Sequence, residues 1–141
     1  MSYSSDPDAK KVLVVDDDLA LRRSVIRILQ KAGFSCHGAV SNQEARAMLV
    51  AERYAVVITD MRMWGEDGLE LMRHISDEYP ETFTIMMTGF VEPRLIEQVS
   101  QSGGYALVQK PFGPHELVAK VEEALEQRAE KVALLRHVSN W

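Results

Sequence analysis

The chain has 141 residues, 21 acidic and 16 basic side chains and a formal net charge of −5; the length suits one domain, and an acidic balance without a basic patch argues against non-specific nucleic-acid binding. Cys36 is the only cysteine, which excludes an internal disulfide, and its apolar neighbours point to a packed thiol in a reducing compartment. No stretch approaches the roughly 20 apolar residues of a membrane span, and the leader lacks the apolar core of a secretory signal, so a cytoplasmic protein without membrane contact is expected.

Residues 1–10 read as a polar, disordered leader. A first strand is predicted over 11–16, from the run Val12-Leu13-Val14-Val15. A first helix follows over 18–32, with Leu21, Val25, Ile28 and Leu29 on one face. Asp18 suits its start, and Gly33 fits a left-handed stop after it. The second strand is expected over 34–39. Ser41 and Glu44 form a capping box, each able to satisfy a free backbone N–H, which opens a second helix ending near 52. The third strand covers 54–60 and a loop covers 61–66. Asp67 caps a third helix, which stops before Pro80. A fourth strand over 82–88 precedes a fourth helix over 92–102, with Pro93 in its first turn. Gly103-Gly104 breaks the chain before a fifth strand that opens at Tyr105, and Pro114 opens a last helix reaching His137.

Short continuous apolar runs read as parallel strands buried on both faces. Strict strand–helix alternation implies right-handed crossovers. The predicted class is therefore α/β, a single doubly wound five-stranded parallel sheet with five helices on its two faces. The last helix is longer than such a fold needs. Val118, Val121, Leu125, Val132 and Leu135 follow a 3,4 spacing that Arg128 interrupts. Two readings stand: a short coiled coil or signalling helix, or core contacts up to Leu125 and a frayed remainder. The domain is expected over 11–127, with 128–141 as a helical extension or the start of a linker.

In an open parallel sheet, ligands bind at the carboxyl ends of the strands. Here the apolar runs end in Asp16-Asp17-Asp18, in Asp60, in Thr88-Gly89 and in Lys110-Pro111-Phe112. One sheet edge should therefore gather Asp16, Asp17, Asp60, Thr88 and Lys110. Acids in a helix's first turn are by themselves ordinary, and Asp18 fits that reading. Three carboxylates in one pocket raise each other's pKa unless a cation intervenes. Oxygen ligands, retained waters and a phosphate partner are the habit of Mg²⁺.

Val12-Leu13-Val14-Val15-Asp16-Asp17-Asp18, Ile58-Thr59-Asp60-Met61-Arg62-Met63, Met86-Met87-Thr88-Gly89 and Lys110-Pro111-Phe112, in this order, resemble the receiver domain of two-component response regulators over about residues 11–127. The resemblance implies a flavodoxin-like strand order, 2-1-3-4-5. It implies a phosphorylation-controlled signalling switch, not an enzyme beyond self-phosphorylation and self-dephosphorylation. Asp60 resembles the phosphoacceptor. Asp17 resembles a direct ligand of Mg²⁺ or Mn²⁺ and Asp16 a water-mediated one, with Asp60 and the backbone carbonyl of Arg62 completing the protein's share. Thr88 and Lys110 would contact the phosphoryl oxygens, and the Lys110–Pro111 bond would be cis. The implied donor is a histidine kinase or a histidine phosphotransfer protein. A homodimer through the helix 4–strand 5–helix 5 face and the C-terminal helix is a further expectation. The chain would be either a single-domain regulator or a receiver cut from a longer protein.

The chain departs from the family pattern at several places. Trp64 sits where the family usually has proline, and Leu107 where it usually has Tyr or Phe. The switch set is therefore read as Thr88, Leu107 and Tyr105. Strand alternation puts Tyr105 on the face of Leu107, about 7 Å further from the site. Arg62 and Phe90, each two residues after a site residue, would flank the path of the hydrolytic water. Trp64 is expected to report Mg²⁺ binding by fluorescence, against Trp141 as background. Two other functions remain open. One is a phosphatase of the haloacid dehalogenase type, with Asp16 as nucleophile and Asp18 as acid. The other is a receiver-like binding module that is never phosphorylated. His37, His74, His115 and His137 are scattered and read as surface positions.

Overall fold

Each apolar run becomes a strand of one sheet in the computed structural model, which describes residues 8–63 and 65–139. In chain order the elements are β1 (Lys11–Val15), α1 (Leu19–Lys31), β2 (Ser35–Ala39), α2 (Asn42–Ala51), β3 (Val56–Asp60), β4 (Arg62–Met63), β5 (Glu66–Asp67), α3 (Gly68–Glu78), β6 (Phe83–Thr88), α4 (Pro93–Gln101), β7 (Ala106–Gln109) and α5 (Pro114–Ser139). The main sheet has five strands in the order β2-β1-β3-β6-β7, all parallel. This is the expected 2-1-3-4-5 order once the two-residue strands β4 and β5 are set aside. Those two pair with each other, Arg62 opposite Asp67 and Met63 opposite Glu66, in the segment read from sequence as a loop. The leader as far as residue 7, Trp64 and Trp141 lie outside the described residues, and so do the expectations placed on them.

Side chains alternate across the sheet and sort into two layers. Val12, Val14, Val56, Ile58, Ile85, Met87 and Val108 pack with Val25 and Leu29 of α1 and with Leu117, Val121 and Leu125 of α5. On the opposite face Leu13, Val15 and Val57 meet α2 and α3, while Met86 meets α3 and α4. Burying one such side chain fully contributes about 1.5–3 kcal/mol, so these layers are the main source of stability.

The caps follow their local chemistry. The Asp18 carboxylate accepts from Leu21 N–H at 3.1 Å, Ser41 Oγ from Glu44 N–H at 3.1 Å, and Asp67 Oδ1 from Leu69 N–H at 2.8 Å. Glu44 reaches back past Ser41 to accept from Val40 N–H at 3.0 Å, so the capping box is one residue wider than the sequence suggested. Gly33 takes φ 97°, the left-handed stop expected of it.

The frayed-remainder reading of the last helix does not hold. Helix α5 runs unbroken to Ser139, and Val132 is buried. Nor does Arg128 interrupt the seam. It is 6 % exposed, and its Nε donates to the Glu81 carbonyl at 2.7 Å. As far as Val132 the seam thus packs within the molecule, tied to the segment leading into β6 by a hydrogen bond that hydrophobic spacing cannot reveal. Beyond Val132 the last seam residue, Leu135, is exposed, as are Leu134 and Val138.

Candidate functional site

The strand register sets the site. Asp60 closes β3 and pairs with Met87, and Thr88 closes β6 beside Gln109 of β7. Asp16 follows β1, and its N–H donates to the Ala39 carbonyl at 3.0 Å, which ties it to the end of β2. Lys110 follows β7, and its N–H donates to the Thr88 carbonyl at 2.7 Å. The Lys110–Pro111 bond is cis. Lys110 Nζ forms an ion pair with Asp60 Oδ1, which is largely buried. The Thr88 hydroxyl is engaged with the Phe90 backbone, 3.2 Å from its carbonyl and 3.3 Å from its N–H.

Asp16 is 1 % exposed. Burial raises its pKa from 3.8 to about 6; a hydrogen bond from Asp18 N–H opposes this, Asp60 adds to it, Lys110 opposes it and Asp17 adds to it. The Asp18 N–H donates to Asp16 Oδ1 at 2.9 Å, whereas Oδ2 is buried with no hydrogen-bond partner among the described residues. The Arg22 guanidinium donates to the Asp16 carbonyl at 2.7 Å. It reaches there over Gly38, where an added Cβ would lie 3.0 Å from Arg22 Cδ. An orphaned carboxylate oxygen beside a second carboxylate is a hard-oxygen environment that fits Mg²⁺. Among the described residues no three acidic, histidine or cysteine side chains converge into a ready-made cage. Mg²⁺ does not need one, since it keeps several waters and takes one or two carboxylates.

Three residues of the site's frame escaped the sequence reading. A Cβ on Gly68 would lie 2.4 Å from the Asp60 carbonyl oxygen, so only glycine lets α3 start this close to β3. The Gly68 N–H donates to the Met61 carbonyl at 2.9 Å. Asn42 and Glu66 join α2 to the β4–β5 hairpin, with the Asn42 N–H donating to Glu66 Oε2 at 2.5 Å. The one local signal was Asp67-Gly68 at a helix start; the other contacts are tertiary.

Some expected placements change. Tyr105 lies just before β7, so strand alternation does not govern its ring. Its ring turns to the α5 side, where it tilts against Phe83 at 5.5 Å and its hydroxyl donates to Glu123 at 2.7 Å. Leu107, inside the strand, packs on the opposite layer with α4. The two therefore do not share a face. His37 is half-buried and hydrogen-bonded to the Tyr54 hydroxyl at 2.7 Å, and His74 lies edge-on to Tyr79 at 6.0 Å; His115 and His137 are exposed as expected. Arg62 and Phe90 are exposed, Phe90 by 72 %, and both line a groove of about 620 Å³ with Asp60, Thr88, Arg94 and Lys110.

Residues 12–122 match the family described as response regulator receiver domain. The chain is 38% identical over 120 residues to the C4-dicarboxylate transport transcriptional regulatory protein DctD of Rhizobium meliloti, 85% of this chain and 26% of that protein. It thus spans about a quarter of the length of the curated relatives it matches. Among solved structures, chemotaxis protein CheY4 of Vibrio cholerae is 29% identical with a TM-score of 0.77, over 81% of this chain and 97% of that one. The beryllofluoride-activated NtrC4 receiver domain dimer is 26% identical with a TM-score of 0.80, over 84% of this chain and 98% of that one.

Proposed function

The chain belongs to the response regulator receiver domain family, and from that premise we propose that its phosphoacceptor is Asp60. Receiver domains are signalling domains, and this one is a phosphoacceptor switch. In our reading Asp17, Asp16, Asp60 and the Arg62 carbonyl hold Mg²⁺ or Mn²⁺, and Lys110 and Thr88 take the phosphoryl oxygens. The observation that carries this is the ion pair of Asp60 with Lys110 at the carboxyl ends of β3 and β7.

The donor is a phosphohistidine on a histidine kinase or phosphotransfer protein. An Asp60 oxygen attacks phosphorus, the P–N bond breaks with its electron pair left on the imidazole, and an acyl phosphate forms on Asp60. Positioning and charge stabilisation are what the protein supplies. The cation, when bound, offsets the charge of the carboxylate and the incoming group together. Lys110 supplies a fixed positive charge on the other side. Thr88 has one hydroxyl hydrogen. Donating it to the phosphoryl group means releasing the Phe90 carbonyl, which pulls on the turn before α4. Leu107, packed with Leu95 and Val99 of α4, lies in the path of that pull. Tyr105, tied to Glu123, passes any movement of β7 to α5.

The phosphatase reading is not favoured, since its proposed acid, Asp18, is engaged in capping α1. The unphosphorylated-module reading is not favoured either: the chain keeps the acidic residues and the lysine that phosphorylation needs, and the ion pair of Asp60 with Lys110 supports their use. Association into a homodimer through α4, β7 and α5 is part of the proposal, supported by the likeness to a receiver dimer. Among the described residues no helix is long and apolar enough to cross a membrane; a cytoplasmic setting is likewise proposed, on the lone, unpaired thiol. Incubation with acetyl phosphate and Mg²⁺ should add one phosphoryl mass to the intact protein, and EDTA or Asp60→Asn should abolish it. Uptake by Asp60→Asn at the wild-type rate would overturn the assignment.

A further inference from the structure

We propose that Asn42 and Glu66 are positioning residues: they clamp the β4–β5 hairpin to the start of α2 and so set the affinity of the site for Mg²⁺. The inference rests on the reading above, in which the Arg62 carbonyl is a metal ligand.

Asn42 is the first residue of α2, where an N–H has no partner inside the helix. That N–H donates to Glu66 Oε2 at 2.5 Å. The carboxylate therefore sits at the positive end of the α2 dipole and makes a charge-assisted bond. The Asn42 side chain adds a second tie, Nδ2 donating to the Asp67 carbonyl at 3.2 Å. Asn42 is 6 % exposed, and its Oδ1 is buried with no hydrogen-bond partner among the described residues. An alanine would carry no such cost.

The two ties fall on adjacent residues of β5. Across the hairpin, Asp67 faces Arg62 and Glu66 faces Met63. The strand bearing the assigned carbonyl is thus paired to a strand that α2 holds from behind. One residue further on, Gly68 seats the same segment against Asp60. The hairpin strand β5 thus lies between α2 and the phosphoacceptor, held from both sides. Mg²⁺ demands near-ideal octahedral geometry, and groups that orient a ligand govern affinity even where they never touch the ion. Releasing the α2 end lets the carbonyl wander and weakens binding without removing a ligand.

Titration calorimetry of Mg²⁺ into wild type, Asn42→Ala, Glu66→Gln and Glu66→Ala tests this. The dissociation constant should rise about tenfold in Asn42→Ala and in Glu66→Ala. Glu66→Gln keeps an acceptor and should fall between them and wild type. The double alanine variant should be no worse than about the larger single effect, because the two ties act on one strand. Phosphate uptake from acetyl phosphate at saturating Mg²⁺ should stay within about twofold of wild type. A purely structural role would instead lower the unfolding midpoint and the saturating rate and leave the dissociation constant alone. Wild-type Mg²⁺ affinity in Asn42→Ala and both Glu66 variants overturns the clamp while the site assignment stands. Wild-type protein with no saturable Mg²⁺ binding overturns both.

Discussion

Cys36 shows how a single position turns burial into chemistry. It lies on β2, partly buried, with its side chain against the α1 layer, and that burial pushes its thiol from 9.0 to about 11. The thiolate is the reactive form. A group protonated more tightly when folded loses stabilising effect as pH rises through the folded value, so stability attributable to Cys36 declines between pH 9 and 11 and is level below that. At pH 8 the folded protein should react with a disulfide reagent roughly 100-fold more slowly than the urea-unfolded chain, since each pKa unit is a factor of ten in thiolate. Equal rates in the two states would show that the thiol is not buried as described. The packed thiol expected from sequence is partly buried on β2, between the polar Ser35 and His37 in the chain. The expectation that Asp16, Asp60, Thr88 and Lys110 share one sheet edge agrees with the strand register, because each stands where an apolar run ends and a parallel sheet brings such ends together. Gly68, Asn42 and Glu66 were not legible. Their roles depend on which helix start meets which hairpin, and no local pattern encodes that.

At the scale of elements, the helices and main strands follow from hydrophobic period and caps, and the misreadings fall at element edges. Tyr105 was assigned a strand face it does not occupy, because the strand begins one residue later. The 61–66 loop contains paired strands too short to leave a periodic signal. Helix α5 is the most consequential case. Its 3,4 spacing is equally that of a coiled coil and of a helix docked on its own domain, and an arginine in the seam looks like a break. The structure uses that arginine as an anchor. Arg128→Ala would take the donor from the part-buried Glu81 carbonyl and empty a buried side-chain position, which costs about 1–3 kcal/mol. Arg136 lies only 3.9 Å from Glu81 at an exposed position, and an exposed pair contributes about 0–1 kcal/mol. Urea unfolding should therefore separate the two: a clear loss for Arg128→Ala, and little change for Arg136→Ala. Comparable losses would mean that charge at this end of the helix, not the bond to Glu81, holds α5 down.

For the whole molecule, the docking of α5 decides how a dimer can be tested. Removing everything after Gln127 would delete Arg128 and the buried Val132 along with the exposed turns. Loss of association in that truncation would report a weakened domain as readily as a lost interface. The exposed residues Leu134 and Val138 lie four apart on one face of α5, beyond Val132, the last buried residue of the seam. Replacing both with aspartate removes apolar surface that none of the described residues covers, so the stability should stay within about 0.5 kcal/mol of wild type. If a second copy covers this face, light scattering with a beryllofluoride mimic should show a larger mass for wild type than for Leu134→Asp/Val138→Asp. A variant that still associates like wild type would place the contact on α4 and β7, where Ile96 is exposed and Leu107 is partly so. A variant that unfolds early would mean that the tail of α5 packs on its own domain beyond Val132. The three outcomes are distinct because the seam as far as Val132 is committed within the chain, while Leu134, Leu135 and Val138 beyond it are exposed.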